Sequence, residues 1–173
     1  MITDERIASF INSFNNDYDD AITAIRKEAE EQGVPIIRRE AGEFIRLLLR
    51  MKKPVNILEI GTAVGFSAIF MSRFIAEGGH ITTIENYQPR IDQAKENIKL
   101  AGAEKKITLL EGDANEILPT LSDQYDLVFM DHMMPVMDGY ELVSKLRSAG
   151  YQIPVLMITA KGSFDDMRQG FLS

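Results

Sequence analysis

The sequence predicts an α/β fold: a doubly wound sheet of five parallel strands in the order 3-2-1-4-5, preceded by an N-terminal helical arm. Three observations carry this. From residue 55 onward, apolar runs of strand length alternate with segments of helical spacing, and strands separated by helices pair in parallel through right-handed crossovers. The strand candidates are apolar along most of their length, as strands covered on both faces are. Glycine turns and acidic residues stand directly after several of them, at the sheet edge where open α/β sheets bind ligands.

The elements follow in order. Residues 1–32 place Ile7, Phe10, Ile11, Phe14, Ile22 and Ile25 at helical spacings, giving one or two amphipathic helices, and Gly33-Val34-Pro35 ends the pattern. Ala41 to Met51 reads as a helix stopped before Pro54. Strands are expected over Val55–Ile60, His80–Ile84, Ile107–Leu110, Tyr125–Met130 and Ile153–Ile158. Helices are expected over Ser67–Ala76, Pro89–Leu100, Asn115–Leu121, Gly139–Ser148 and Phe164–Leu172. Residues 1–53 are thus read as an arm packed on the core, and residues 54–173 as one α/β domain.

Composition narrows the function. The chain has 173 residues, which suits one domain plus an arm. Its formal net charge of -7 argues against sequence-blind binding of nucleic acid, which relies on basic surface. It has no Cys and two His, so thiolate or histidine-rich metal sites are not expected. No apolar run reaches the length of a membrane span and no signal-peptide pattern opens the chain, so a cytoplasmic location is expected.

The chemistry concentrates at strand ends. Leu58-Glu59-Ile60-Gly61-Thr62-Ala63-Val64-Gly65-Phe66-Ser67 reads as a strand, a tight turn and a helix start. Gly61 and Gly65 let backbone approach a ligand closely, and the helix N-terminus offers free N–H groups. Glu85 ends the second strand, where a carboxylate can accept from ribose hydroxyls. Asp113 ends the third and Asp131 the fourth. Each taken alone is also an ordinary turn glycine or solvated acid; together, in register, they point to a nucleoside site in a Rossmann-like sheet. Ala63 stands where a dinucleotide fingerprint has its middle Gly, which argues for another nucleoside cofactor.

Val34-Pro35-Ile36, Leu58 to Thr62, Gly65-Phe66-Ser67, Thr83-Ile84-Glu85, Glu111-Gly112-Asp113-Ala114 and Asp126 to Asp131 together resemble the small metal-dependent O-methyltransferases related to catechol O-methyltransferase. Bacterial members of that group act on phenolic hydroxyls or on hydroxyuridine in tRNA. The resemblance covers roughly the first three quarters of the chain. It implies S-adenosylmethionine or S-adenosylhomocysteine as the small-molecule nucleoside cofactor. The residues implied to hold it are Val34, Glu59, Gly61, Thr62, Gly65, Ser67, Glu85, Asn86, Gly112, Asp113, Ala114 and Asp131. Glu59 and Gly61 would lie near the methionine part, Ser67 near its carboxylate, Glu85 at the ribose, and Asp113 and Ala114 beside the adenine. Asp131 would be a magnesium ligand, and the helical arm suggests a homodimer, with the open edge beyond Ile153–Ile158 as a second place for pairing.

After Asp131 the sequence departs from that pattern. The general-base Lys expected three residues on is Met134, and the Asp-Asn pair expected after the next strand is Thr159-Ala160. Residues 131–142 and 153–161 instead resemble the phosphoacceptor loop and hydroxyl-bearing strand of a response-regulator receiver domain. The acidic pair a receiver needs after its first strand is Gly61-Thr62 here. Two signatures joined within one strand imply a chimeric chain, engineered or else naturally recombined, with its junction near Asp131; the alternative is a natural methyltransferase that has drifted. The expectation is a retained cofactor site with catalysis largely lost. An active methyltransferase, a receiver-type phosphoacceptor and a scaffold without activity are the alternatives.

Overall fold

The structure, a computed structural model, describes residues 18–122, 124–131, 143, 144, 146, 147 and 152–158, with Arg6 and Phe10; the side chains of Asp131 and Ile158 lie outside that set. The elements are α1 (Asp20–Glu31), α2 (Arg39–Lys52), β1 (Asn56–Ile60), α3 (Phe66–Met71), β2 (His80–Glu85), α4 (Gln88–Leu100), β3 (Ile107–Glu111), α5 (Ala114–Ile117, continued by a 3-10 turn over Leu118–Thr120), β4 (Leu127–Asp131) and β5 (Val155–Ile158). The five strands form one sheet in the order β3-β2-β1-β4-β5, all parallel, as the alternation of strands and helices requires. Residues 143, 144, 146 and 147 are helical, within the helix expected over Gly139–Ser148. The helix expected over Phe164–Leu172 lies outside the described residues.

Side chains alternate across the sheet, so each face has its own core. On one face Ile57, Ile81 and Phe129 pack with Phe66, Ile69 and Phe70 of α3 and with Ile22, Ile25, Ile45 and Leu49 of α1 and α2. On the other, Leu58, Ile60, Ile84, Val128 and Met130 pack with Leu146 and, from the α5 region, Ile117 and Leu118. The strand pattern predicts Leu58, Ile60, Ile84, Leu110, Val128, Phe129, Leu156 and Ile158 as buried in the sheet; Leu58, Ile60, Ile84, Val128 and Phe129 are, and the Ile158 side chain lies outside the described residues. Leu110 and Leu156 are half-buried, because β3 and β5 are the edge strands.

Several boundaries differ from expectation for local reasons. α3 stops at Met71 instead of running to Ala76. The Ser72 hydroxyl donates to Ile69 O at 2.6 Å, and Arg73 N and Phe74 N reach back only three residues, so the last turn tightens and ends. β1 begins at Asn56, since the Val55 N–H donates to the Asp126 carboxylate at 2.7 Å. β5 begins at Val155 because Pro154 has no N–H to give the ladder; its carbonyl accepts from Val128 N at 3.0 Å. α5 begins one residue early, at Ala114, because Asp113 caps it, and gives way to the 3-10 turn that contains Pro119.

Candidate functional site

Strand register brings the predicted acids to one edge. Ile60 pairs with Ile84 on one side and with Met130 on the other. Glu85, Gly61 and Asp131 therefore stand at one level across β2, β1 and β4, and Glu85 pairs with Glu111 of β3. Gly61 N donates to Ile84 O and Gly112 N to Glu85 O, both at 2.9 Å, so the chain leaves β1 and β3 held against β2.

The turn after β1 is built from unusual backbone. Gly61 has φ +84° and Gly65 φ +80°, left-handed conformations that glycine adopts without strain. Ala63 lies at φ +47°, uncommon for a residue with a Cβ. Gly65 N closes the turn on Thr62 O at 2.9 Å. Glu85 holds it from β2: its Oε2 accepts from Ala63 N at 2.8 Å, while its Oε1 accepts from Asn86 N and Tyr87 N at 3.0 and 3.1 Å. Each carboxylate oxygen has two lone-pair directions, so these bonds orient Glu85 and leave acceptor capacity for a ligand hydroxyl. From α4, the buried Asn97 donates its Nδ2 to Val64 O at 2.8 Å.

Glu59 is only 3% exposed. Its Oε2 accepts from the Thr83 hydroxyl at 2.6 Å. Burial pushes its carboxyl above the ordinary range, opposed by the nearby hydroxyls of Ser67, Thr83 and Thr62. Thr62 Oγ1 is buried beside Glu59 and has no partner at hydrogen-bond geometry, so it acts on Glu59 as a nearby hydroxyl rather than through a formed bond. A polar cluster with an orphaned group at a strand end fits a polar ligand.

The remaining predicted residues divide. Val34 is buried, its N–H donating to Ala29 O at 2.8 Å, and Ser67 is half-buried in the first turn of α3. Asn86 is exposed beside Glu85. Gly112 (φ +141°) and the half-buried Ala114 flank Asp113. Asp113 caps α5, its Oδ1 accepting from Asn115 N at 2.7 Å and Asn115 Nδ2 at 3.0 Å, a structural duty that the sequence reading omitted. Thr83 and Asn97 were also missed. The available signal for Asn97 was a polar residue on the buried face that Ile91, Ala94 and Ile98 mark on α4. Asp131 closes β4, and its side chain is outside the described residues, as is Met134. Among the described residues no three acidic or histidine side chains converge on a metal position, and the side chain of Asp131, the magnesium ligand that the resemblance implied, lies outside them.

Residues 15–146 match the O-methyltransferase family. The chain belongs to that family. The match crosses Asp131 and takes in residues on both sides of the expected junction. Among relatives of this O-methyltransferase chain, a catechol O-methyltransferase of Niastella koreensis is 31% identical over 142 residues, covering 79% of this chain. The chain spans 64% of that relative's length. A putative O-methyltransferase of Klebsiella pneumoniae superposes with a TM-score of 0.74 at 28% identity, covering 95% of this chain and 80% of its own. An O-methyltransferase of Streptomyces achromogenes, solved in complex with SAM, shares the fold with a TM-score of 0.74 at 24% identity, covering 91% of this chain and 74% of its own. No helix among the described residues is long and apolar enough to cross a membrane.

Proposed function

We propose that this O-methyltransferase chain holds S-adenosylmethionine or its demethylated product across the ends of β1, β2 and β3, and that methyl transfer is lost or very slow. The observation that carries the first half is the glycine turn tied to Glu85, with Gly61, Glu85 and Asp131 at one level of the sheet. Glu85 would take a ribose hydroxyl with the one Oε2 lone pair its backbone bonds leave, and Glu59 and Thr62 would face the methionine end. Gly112, Asp113 and Ala114 would border the adenine. The bound cofactor supplies an electrophilic methyl group; the chain's own part is to bind and orient it. The second half rests on the sequence: Met134 stands at the expected base position, and no Asp-Asn pair follows β5.

The test is calorimetric titration with S-adenosylhomocysteine, alongside a catechol methylation assay with magnesium. Binding is expected in the parent chain. Glu85→Ala removes a charge-assisted contact and should weaken it by about 1.5–3 kcal/mol. Methylation should run some two to four orders of magnitude below an intact enzyme, as loss of a general base entails. No binding at millimolar cofactor would sink the proposal, and chelator-sensitive turnover at ordinary rates would sink its second half.

A recombined origin is the finer part of this reading. It rests on the receiver-like residues 131–142 and 153–161. On this reading Asp131 is still no working phosphoacceptor, because Gly61 and Thr62 occupy the place of the receiver's acidic pair. Acetyl phosphate with magnesium should leave the intact mass unchanged. A stoichiometric adduct absent from Asp131→Asn would show the receiver-like half in control.

A further inference from the structure

We propose that Asn97 is a positioning residue for the cofactor turn, setting the turn through the Val64 carbonyl from α4 while Glu85 holds it from β2. The inference rests on the reading of this turn as the cofactor's seat. It deepens that reading by naming the residue that sets the turn's shape.

The turn cannot hold its shape through its own backbone alone. Ala63 sits at a positive φ that disfavours any residue with a Cβ, and the backbone closes the turn with the single bond from Gly65 N to Thr62 O. Two side chains from separate elements supply the rest. Glu85 Oε2 takes the N–H of Ala63, and Asn97 Nδ2 gives a hydrogen to the carbonyl of Val64, each at 2.8 Å. The first bond of α3 runs from Ile69 N to Gly65 O, so the helix gives no donor to Val64 O. Val64 is wholly buried, and a buried carbonyl without a donor is a costly state. Asn97 is the partner that removes it.

The position of Asn97 on α4 supports the assignment. It is 5% exposed and shares the buried face of α4 with Ile91, Ala94 and Ile98, where an apolar side chain would be the rule. Ala94, one turn earlier, lies directly under the turn: a Cβ added at Gly65 would come within 3.4 Å of both its Cα and its Cβ. α4 therefore touches the turn twice, once by packing and once by a hydrogen bond. The peptide units on either side of the Ala63–Val64 bond are pinned by Glu85 and Asn97. The unit between them is the part of the turn left to meet a ligand.

Asn97→Leu keeps the size and removes the donor. Asn97→Asp places an acceptor against an acceptor and should be the worse of the two. The experiment has two arms on the full chain, with Ile81→Val as a core-weakened control away from the turn. Residue-resolved amide exchange on the unliganded protein should show faster exchange at Ala63 and Gly65 in both Asn97 variants, and no selective change there in the control. Titration with S-adenosylhomocysteine should show affinity falling about tenfold in Asn97→Leu and further in Asn97→Asp, with the control close to wild type. Wild-type affinity in both Asn97 variants, or an equal loss in the control, overturns the proposal. A wild-type chain that binds no cofactor overturns the cofactor reading instead. The exchange arm then decides on the tie alone: unchanged exchange at Ala63 and Gly65 refutes it, and selective acceleration upholds it.

Discussion

A carboxyl group held almost out of reach of water, as Glu59 is, gains or loses protons on different terms folded and unfolded. Burial raises its folded pKa above the unfolded one, so the folded chain binds the extra proton more readily. The sign follows. Below the unfolded value Glu59 costs nothing; as pH rises through the unfolded and then the folded value, stability is lost. Glu59→Gln removes this loss and can still bond the Thr83 hydroxyl. Its Tm should exceed wild type at about pH 8, with the gap closing toward about pH 5, while affinity for S-adenosylhomocysteine falls. A gap that stays constant across that range would show Glu59 charged throughout. Glu59, Gly61 and Glu85 were legible in the sequence because each stands next to a strand end and a glycine turn. Thr83 and Asn97 were not, since their roles are pairings across 24 and 33 residues that no local pattern encodes.

Among the elements, strand placement was legible to within two residues, because apolar runs and the residues after them identify parallel strands directly. What escaped was the role of side chains in ending elements, as with Ser72 at the end of α3 and Asp126 before β4. Asp126 Oδ2 accepts from Val55 N at 2.7 Å and Asn56 N at 3.0 Å, tying the start of β1 to the approach to β4. Those two backbone N–H groups hold its carboxyl below the ordinary range. Its contribution is therefore complete above the unfolded carboxyl pKa and is lost as pH falls through the lowered folded one. Asp126→Ala should lower stability in urea by about 1 kcal/mol at neutral pH, a modest figure because the carboxylate is solvent-exposed. The difference from wild type should vanish in acid. An undiminished difference in acid would assign the effect to packing.

For the whole molecule, the described helices of the arm expected over residues 1–53 share their core with the sheet. Ile22, Ile25, Ala29, Ile45 and Leu49 belong to the same cluster as Ile57, Ile81 and Phe129, and the Arg26 guanidinium lies 4.5 Å from the centre of the Phe66 ring. The helical spacing of the arm was plain in the sequence, but spacing shows that a face is apolar without showing what covers it. Residues 54–173 alone should expose Phe66, Ile69 and Phe70 and behave as a loosely packed, dye-binding species rather than a folded domain. A sharp thermal transition from that fragment would make the arm dispensable.

The bonds from Asp126 to Val55 and Asn56 also set an order of events. They join residues about seventy positions apart, and β1 is flanked on that side by β4 alone. A chain leaving the ribosome can complete β1, β2 and β3 early, yet half of the central strand's ladder stays open until Leu127 to Asp131 emerge. Throughout that interval the edge of β1 is an unpaired template at the middle of the future sheet, and a neighbouring nascent chain can occupy it. The strand that leads into the glycine turn thus keeps one edge open to wrong partners while the protein is being made.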